Sequence, residues 1–215
     1  VVIDALKPFG YGHLLPRGIL REPLSSLKRA DMVIISRAEQ VSDERILEIQ
    51  TRIRNYNFKV DIFNSKHNPI NLAEIASNSE ISYDELSDLN DKKALALSGI
   101  GNPESFEKSL EELGVNVVVA ANYPDHYKYK SEDVMDIAMQ AQLNEANLVI
   151  TTEKDAVKFD TDIINNFNKM EVDIYSLVVD LNFINKDGFS KRVLEILNNK
   201  WGEKLENSCY YTSPL

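Results

Sequence analysis

The chain has 215 residues, 43% of them hydrophobic and 27% charged, enough to bury a substantial core in one large domain or two small ones. Its formal net charge of −10 argues against non-specific binding to nucleic acid or to anionic lipid, since both are polyanions. The single cysteine, Cys209, can form no internal disulfide, which suits a reducing compartment; no apolar run approaches the roughly 18 residues that span a bilayer, and no signal peptide is visible.

Val1–Ile3 reads as a short buried strand. The chain opens on it without an initiator Met, the pattern expected if an N-terminal part has been removed; a trimmed N-terminus is the plainer alternative. A long loop follows, "ALKPFGYGHLLPRGILREP", shaped by Gly10, Gly12, Gly18 and three prolines. "DMVIIS" (31–36) is predicted to be a second buried strand. "SDERILEIQTRIRNYN" predicts a helix capped by Ser42 or Asp43, with Ile46, Ile49, Ile53 and Tyr56 at helical spacing. "KVDIFNS" (59–65) alternates like a half-exposed strand, and from Pro69 to Asp91 the pattern weakens into a linker with extended pieces.

A second regular block begins near Lys92. "ALALSGI" (94–100) is a strand, and "NPESFEKSLEELG" a helix with Asn102 as N-cap, Pro103 at the first helical position and Gly114 past the end. "VNVVVAA" is the next strand, and a helix capped by Ser131 follows. "NLVITT" is a strand leading into "EKDAVKF", and "DIYSLVVDLNF" (173–183) is another. A closing amphipathic helix carries Phe189, Val193, Ile196, Leu197 and Trp201. Strands alternating with helices predict an α/β protein of parallel-sheet βαβ units.

In such sheets ligands sit beyond the carboxyl ends of the strands. Three segments with special residues fall there: "SGIGNPE", "YPDHY" and "TTEKDAVK". Gly99 and Gly101 would let a phosphate or hydroxyl approach bare backbone at a helix start, or simply form a tight turn. His126, behind Pro124-Asp125, has the chemistry to take a proton from a hydroxyl; a surface or capping role is the plainer reading. Asp125 would orient that ring or cap a turn. Tyr123, Tyr127 and Tyr129 would wall a sugar or acyl group, or cover a loop. Thr152, Glu153, Lys154 and Asp155 read as a capped helix start and, compatibly, as a polar cluster facing a cleft. Arg17 and Arg21 flank Gly18 in "LLPRGILREP", a phosphate-binding arrangement or two solvated arginines on a rigid loop. His13 and His67 have no partners at ligand spacing, so no metal site is assigned within this chain.

Taken together, "GYGHLLPRGILREPLSSLKRADMVIISR", "SGIGNPESF", "YPDHYKY" and "TTEKDAVK" have the order and spacing of the tetraacyldisaccharide 4'-kinase family, and the chain resembles that family over roughly residues 1–180. The resemblance implies the end of a P-loop kinase domain over residues 1–56, an extended linker over 57–91, a smaller C-terminal α/β domain over 92–185, and a C-terminal helix and tail over 186–215. It implies ATP and Mg²⁺ as cofactors and an acylated disaccharide lipid as acceptor. It further implies a peripheral place on the cytoplasmic face of the bacterial inner membrane, docked through N-terminal segments missing here, the fragment itself being soluble. No nucleic-acid partner is expected.

Carried over by motif, His126 matches the family's catalytic histidine, implied to help deprotonate the sugar 4'-hydroxyl; the next residue is Tyr127 where the family has a second histidine. Glu22 matches the glutamate of "LREP", implied to lie near nucleotide and metal, with Arg21 beside it. Asp4, Gly99, Asn102, Asp125, Glu153, Lys154 and Asp155 match further motif positions. None of the eight glycines precedes a lysine, so the family's phosphate loop is absent from this sequence, and the fragment is expected to be inactive alone. The competing expectations are a non-catalytic α/β domain that binds a nucleotide or sugar at the "GIGNP" edge, and a glycosyltransferase-like domain.

Overall fold

The computed structural model describes residues 1–76, 85–146, 148–170 and 172–201, with side chains up to residue 199. The chain divides into two compact units: residues 1–68 with the chain from 181 onward, and residues 69–180. The divisions expected from the sequence were at 56, 91 and 185.

The first unit carries three parallel strands, β1 (Val2–Asp4), β2 (Met32–Ser36) and the start of β3 (Asp61–Ala76), with Val2 opposite Ile34 and Met32 opposite Asp61. Helix α1 (Asp43–Arg54) begins where Ser42 accepts the Arg45 N–H, and Asp43 and Glu44 sit at its positive end. Ile46, Ile49 and Ile53, one turn apart, are buried against Val33 and Ile35. The long glycine-rich loop is ordered by its own backbone. Leu15 donates to Leu20 O, Leu20 to His13 O and Gly18 to Leu14 O, with N···O distances of 3.0, 3.2 and 2.9 Å. Glycine is required at position 18 because an added Cβ would stand 2.2 Å from the His13 carbonyl oxygen.

In the second unit the strand order is β7 (Asp173–Phe183), β6 (Leu148–Thr152), β4 (Lys93–Ser98), β5 (Asn116–Asn122), and each of these neighbouring pairs is parallel. Both faces are covered, as a parallel sheet requires. Leu95, Leu97 and Val149 point to the side of α3 (Ser131–Leu143) and α5 (Thr161–Lys169), while Ala96, Leu148 and Ile150 point to the side of α2 (Pro103–Glu112). This is the period-two alternation of a strand buried twice over. β3 and β7 also meet each other: Ile184, just past β7, donates to Asn64 O, and Ser176 Oγ to Ala73 O. The opposite order of these two contacts makes the pairing antiparallel. Helix α6 (Lys186–Trp201) follows β7, and Phe189 stacks on Phe183 at 3.8 Å between centroids.

Three expectations need correction. "KVDIFNS" leads into a single 16-residue strand that starts at Asp61 and runs on through Pro69, past the expected end at 65; the extended structure expected beyond Pro69 is present up to Ala76. α3 starts at Ser131 with Lys130, not Ser131, in the cap position, and Asp133 in the first turn accepts the Lys130 N–H at 2.7 Å. α5 was not foreseen, although Asp160 accepts the Ile163 N–H at 2.9 Å and Ile163 and Phe167 are buried one turn apart. The expectations for Cys209 and for the side chain of Trp201 lie outside the described residues.

Phe167 is fully buried and its ring lies 6.0 Å from that of Phe159. Phe167→Ala is expected to lower unfolding free energy by about 3–5 kcal/mol, read from the urea midpoint at unchanged m-value.

Candidate active site

Because β4, β5 and β6 are parallel, their carboxyl ends at Ser98, Asn122 and Thr152 lie on one edge of the second unit. The loops leaving that edge are the three segments singled out by sequence. The edge is tied early: Ser98 O accepts the Tyr123 N–H at 2.8 Å, and Ser98 Oγ donates to Asn122 Oδ1 at 3.0 Å.

At its centre sits Asp155, fully buried. It lies in the one-turn helix α4 (Glu153–Ala156), whose cap is Thr152 Oγ1 accepting the Asp155 N–H at 3.1 Å. Asp155 Oδ2 accepts the Gly99 N–H at 2.9 Å and the Thr152 hydroxyl at 2.7 Å, and Oδ1 accepts Lys158 Nζ at 2.6 Å. Burial pushes this carboxyl up, but the Gly99 amide, Lys158 and Thr152 outweigh it and hold the group below the ordinary aspartate value. Glycine is needed at 99 because a Cβ would come within 3.0 Å of both Asp155 Oδ1 and the Tyr129 hydroxyl. The Gly99 amide is therefore committed to Asp155, and the expectation that it presents bare backbone to a ligand is replaced by a structural bond. Gly101 is open, with nothing nearer to its missing Cβ than Asp125 Oδ2 at 3.9 Å.

Beside this hub stands a second carboxylate in a different environment. Asp125 Oδ1 accepts Lys154 Nζ at 2.6 Å and the His126 backbone N–H at 3.1 Å. The lysine's hydrogen bond holds the Asp125 carboxyl below its ordinary value. The His126 ring is 80% exposed, and its Nε2 is 3.7 Å from Asp125 Oδ2, too long for a hydrogen bond. Of the two roles expected for Asp125, capping the turn is realised and orienting the ring is not. His126 itself has φ of +64°, in the left-handed region that few non-glycine residues adopt, histidine more readily than most. An exposed imidazole on a braced turn is free to meet a hydroxyl brought to this edge.

The tyrosines behind the loop brace it. Tyr123 and Tyr129 pack at 5.2 Å and Tyr129 on Phe159 at 5.0 Å, and Tyr127 donates its hydroxyl to Asp133 at 3.1 Å. Burial, then the Asp133 charge, pushes the Tyr123 phenol up to about 12, and burial raises that of Tyr129 as well. They cover the loop from below. Asn102 occupies the cap position of α2 without a side-chain bond to it, and Glu153 accepts the Val179 N–H at 3.1 Å, tying α4 to β7.

In the first unit Asp4 and Glu22 line one cavity of about 440 Å³ with Lys7, Gly10, Ile19 and Arg29. Asp4 accepts both Nε and Nη2 of Arg37 and the Leu6 N–H, while Glu22 pairs with Arg29 on the exposed rim. Arg21 is exposed and does not line that cavity. Arg37, Arg29 and Lys158 escaped the sequence reading. Lys158 had a signal in its i+3 spacing from Asp155, whereas Arg37 reaches Asp4 across 33 residues and had none. His67 offers its backbone N–H to Glu39, and no three histidine, cysteine, aspartate or glutamate residues among the described ones are grouped to hold a metal ion.

The family model described as tetraacyldisaccharide-1-P 4'-kinase (LpxK) matches residues 1–198. The tetraacyldisaccharide 4'-kinase of Halothermothrix orenii is 40% identical over 187 residues, 84% of this chain and 49% of that protein. The protein of that name from Anaeromyxobacter dehalogenans is 37% identical over 160 residues, 74% of this chain and 41% of its own length. Among solved structures, LpxK from Aquifex aeolicus in complex with ATP superposes with a TM-score of 0.54 at 21% identity, covering 91% of this chain and 51% of that one. That likeness bears on the fold alone, a mixed α/β chain with a mostly parallel sheet. The chain spans about half the length of the curated relatives it matches.

Removing Asp155 would leave the Gly99 amide, Thr152 and Lys158 without their acceptor, so Asp155→Ala is expected to cost about 3–5 kcal/mol. Since folding depresses this carboxyl, its contribution is complete above the unfolded value near ~3.9 and is lost as pH falls through the lower native value. The stability gap between wild type and Asp155→Asn should therefore hold steady from about pH 7 to pH 5 and narrow below about pH 4, in urea melts across that range.

Proposed function

This chain belongs to the tetraacyldisaccharide-1-P 4'-kinase family, and from that premise we propose that it is part of an enzyme of lipid A biosynthesis. The reaction is ATP-dependent phosphorylation of the 4'-hydroxyl of a tetraacylated glucosamine disaccharide 1-phosphate. In this reading His126 accepts the proton of the sugar hydroxyl as its oxygen bonds to the γ-phosphorus of ATP, the second substrate, while the bond from that phosphorus to the ADP leaving group breaks. The observation that supports it is the exposed His126 ring on a left-handed turn, braced by Asp125 and Lys154 at the strand edge. The hydroxyl acceptor belongs at that edge.

Glu22 and Arg21 are proposed to lie beside the nucleotide. The fit goes no further for the cofactors. Asp4 and Glu22 are each committed to an arginine, the described residues offer no three-ligand metal group, and no glycine of the chain precedes a lysine. These residues do not by themselves make a site for Mg²⁺ or for the triphosphate of ATP, so none of them is assigned to hold the metal or the phosphates. The place proposed for the whole enzyme is peripheral, at the cytoplasmic face of the inner membrane; no described helix of this chain is long and apolar enough to cross a membrane.

In the protein at its full encoded length, His126→Ala should lower kcat by about 10²–10⁴-fold, or about 3–5 kcal/mol, with KM for ATP little changed. A folded variant within about threefold of wild type at every pH tested would contradict the reading.

Glu22 and Arg29 are 58% and 72% exposed at the side chain, so their ion pair adds little stability. Glu22→Ala should leave the melting temperature nearly unmoved while turnover falls; loss of folding with normal specific activity in the folded fraction would make the residue structural.

A further inference from the structure

Lys154 lies in the one-turn helix α4, and its side chain is 47% exposed. It spans 29 residues of sequence to reach Asp125 Oδ1 at 2.6 Å. The same oxygen accepts the His126 amide at 3.1 Å, while Oδ2 stops 3.7 Å short of the imidazole. Asp125 is thus held on the backbone of His126 and off its ring. Facing the ring is the Asp125 carboxylate of its own turn, and that carboxylate in turn meets Lys154 from α4 and the uncharged Gly101 of the β4–α2 loop.

We propose that Lys154 is a positioning residue for His126, acting through Asp125: it draws the carboxylate onto the His126 N–H, which keeps the turn left-handed, and withholds it from the imidazole, which stays free to take a proton. The inference rests on the general-base reading of His126. Without the ammonium, Asp125 is free to swing onto the ring, pair with the protonated imidazole and stabilise the form that cannot accept a proton. The turn would also lose its brace, and small misplacements of a base are costly to rate.

Three measurements on the protein at its full encoded length test this. Lys154→Met should lower kcat by about 10- to 100-fold with KM for both substrates little changed and the melting temperature close to wild type. The acid limb of its kcat–pH profile should move to higher pH, and Lys154→Arg should restore both kcat and the limb. In an Asp125→Asn background, Lys154→Met should move the limb no further, because the charge it restrains is gone. The third readout is independent of activity: exchange of the His126 amide with water, followed by NMR, should quicken several-fold in Lys154→Met.

An unchanged His126 amide in Lys154→Met would overturn the proposal even if His126→Ala is inactive. An equal limb shift in the Asp125→Asn background, or failure of Lys154→Arg to rescue, would overturn it too. A near-normal His126→Ala would instead remove the general-base reading, and with it the catalytic half of the proposal, while the amide result would still report the clamp.

Discussion

The second unit's loop edge depends on one buried carboxylate. Asp155 is cut off from water and survives there as an anion because a backbone amide, a hydroxyl and an ammonium converge on it. Each partner comes from a position that needs fixing. Gly99 belongs to the loop after β4, Thr152 ends β6, and Lys158 lies one turn beyond Asp155 and approaches the Gly99 carbonyl at 3.4 Å. The bond from Gly99 joins two loops 56 residues apart in sequence. A buried anion is poor evidence of net stability, but a packing that parted Asp155 from these donors would strand its charge.

The two aspartates on this edge illustrate how environment divides labour between like groups. Asp155 is enclosed and structural. Asp125 is exposed, holds an ammonium and an amide with a single oxygen, and stands beside the exposed His126 ring. Both are served by lysines of the same short segment, Lys158 for the buried group and Lys154 for the exposed one. That explains why "TTEKDAVK" reads as a single motif: Thr152 and Asp155 build the platform, Glu153 fastens it to β7, and Lys154 reaches out over it. In the first unit the carboxylates of Asp4 and Glu22 are also restrained by arginines, one by a two-pronged contact and one on the exposed rim.

Much of this was legible in the sequence where physics is local. Pro103 and Gly114 bracket α2, the apolar runs "ALALSGI" and "NLVITT" mark β4 and β6 as strands, and β7 runs over the residues expected of it. The edge position of His126 followed from the same strand–helix alternation. What escaped reading was long-range or masked by composition. No local rule foretells that the amide of Gly99 belongs to Asp155, or that Arg37 turns back to Asp4. α5 hid behind the asparagines of "INNFNK", poor helix formers that are overridden by the burial of Ile163 and Phe167. The open alternative at Asp125, ring or turn, was decided by a few tenths of an ångström that sequence does not encode.

The account's central claim is that the hydroxyl acceptor is received at the edge formed by the loops after β4, β5 and β6, with His126 as its base. The most direct test is a structure of the protein at its full encoded length with the acylated disaccharide bound. The account predicts the sugar's 4'-oxygen at about 2.6–3.2 Å from a ring nitrogen of His126, or one water away. A disaccharide seated with its 4'-hydroxyl remote from His126, in a complex competent to turn over, would contradict it.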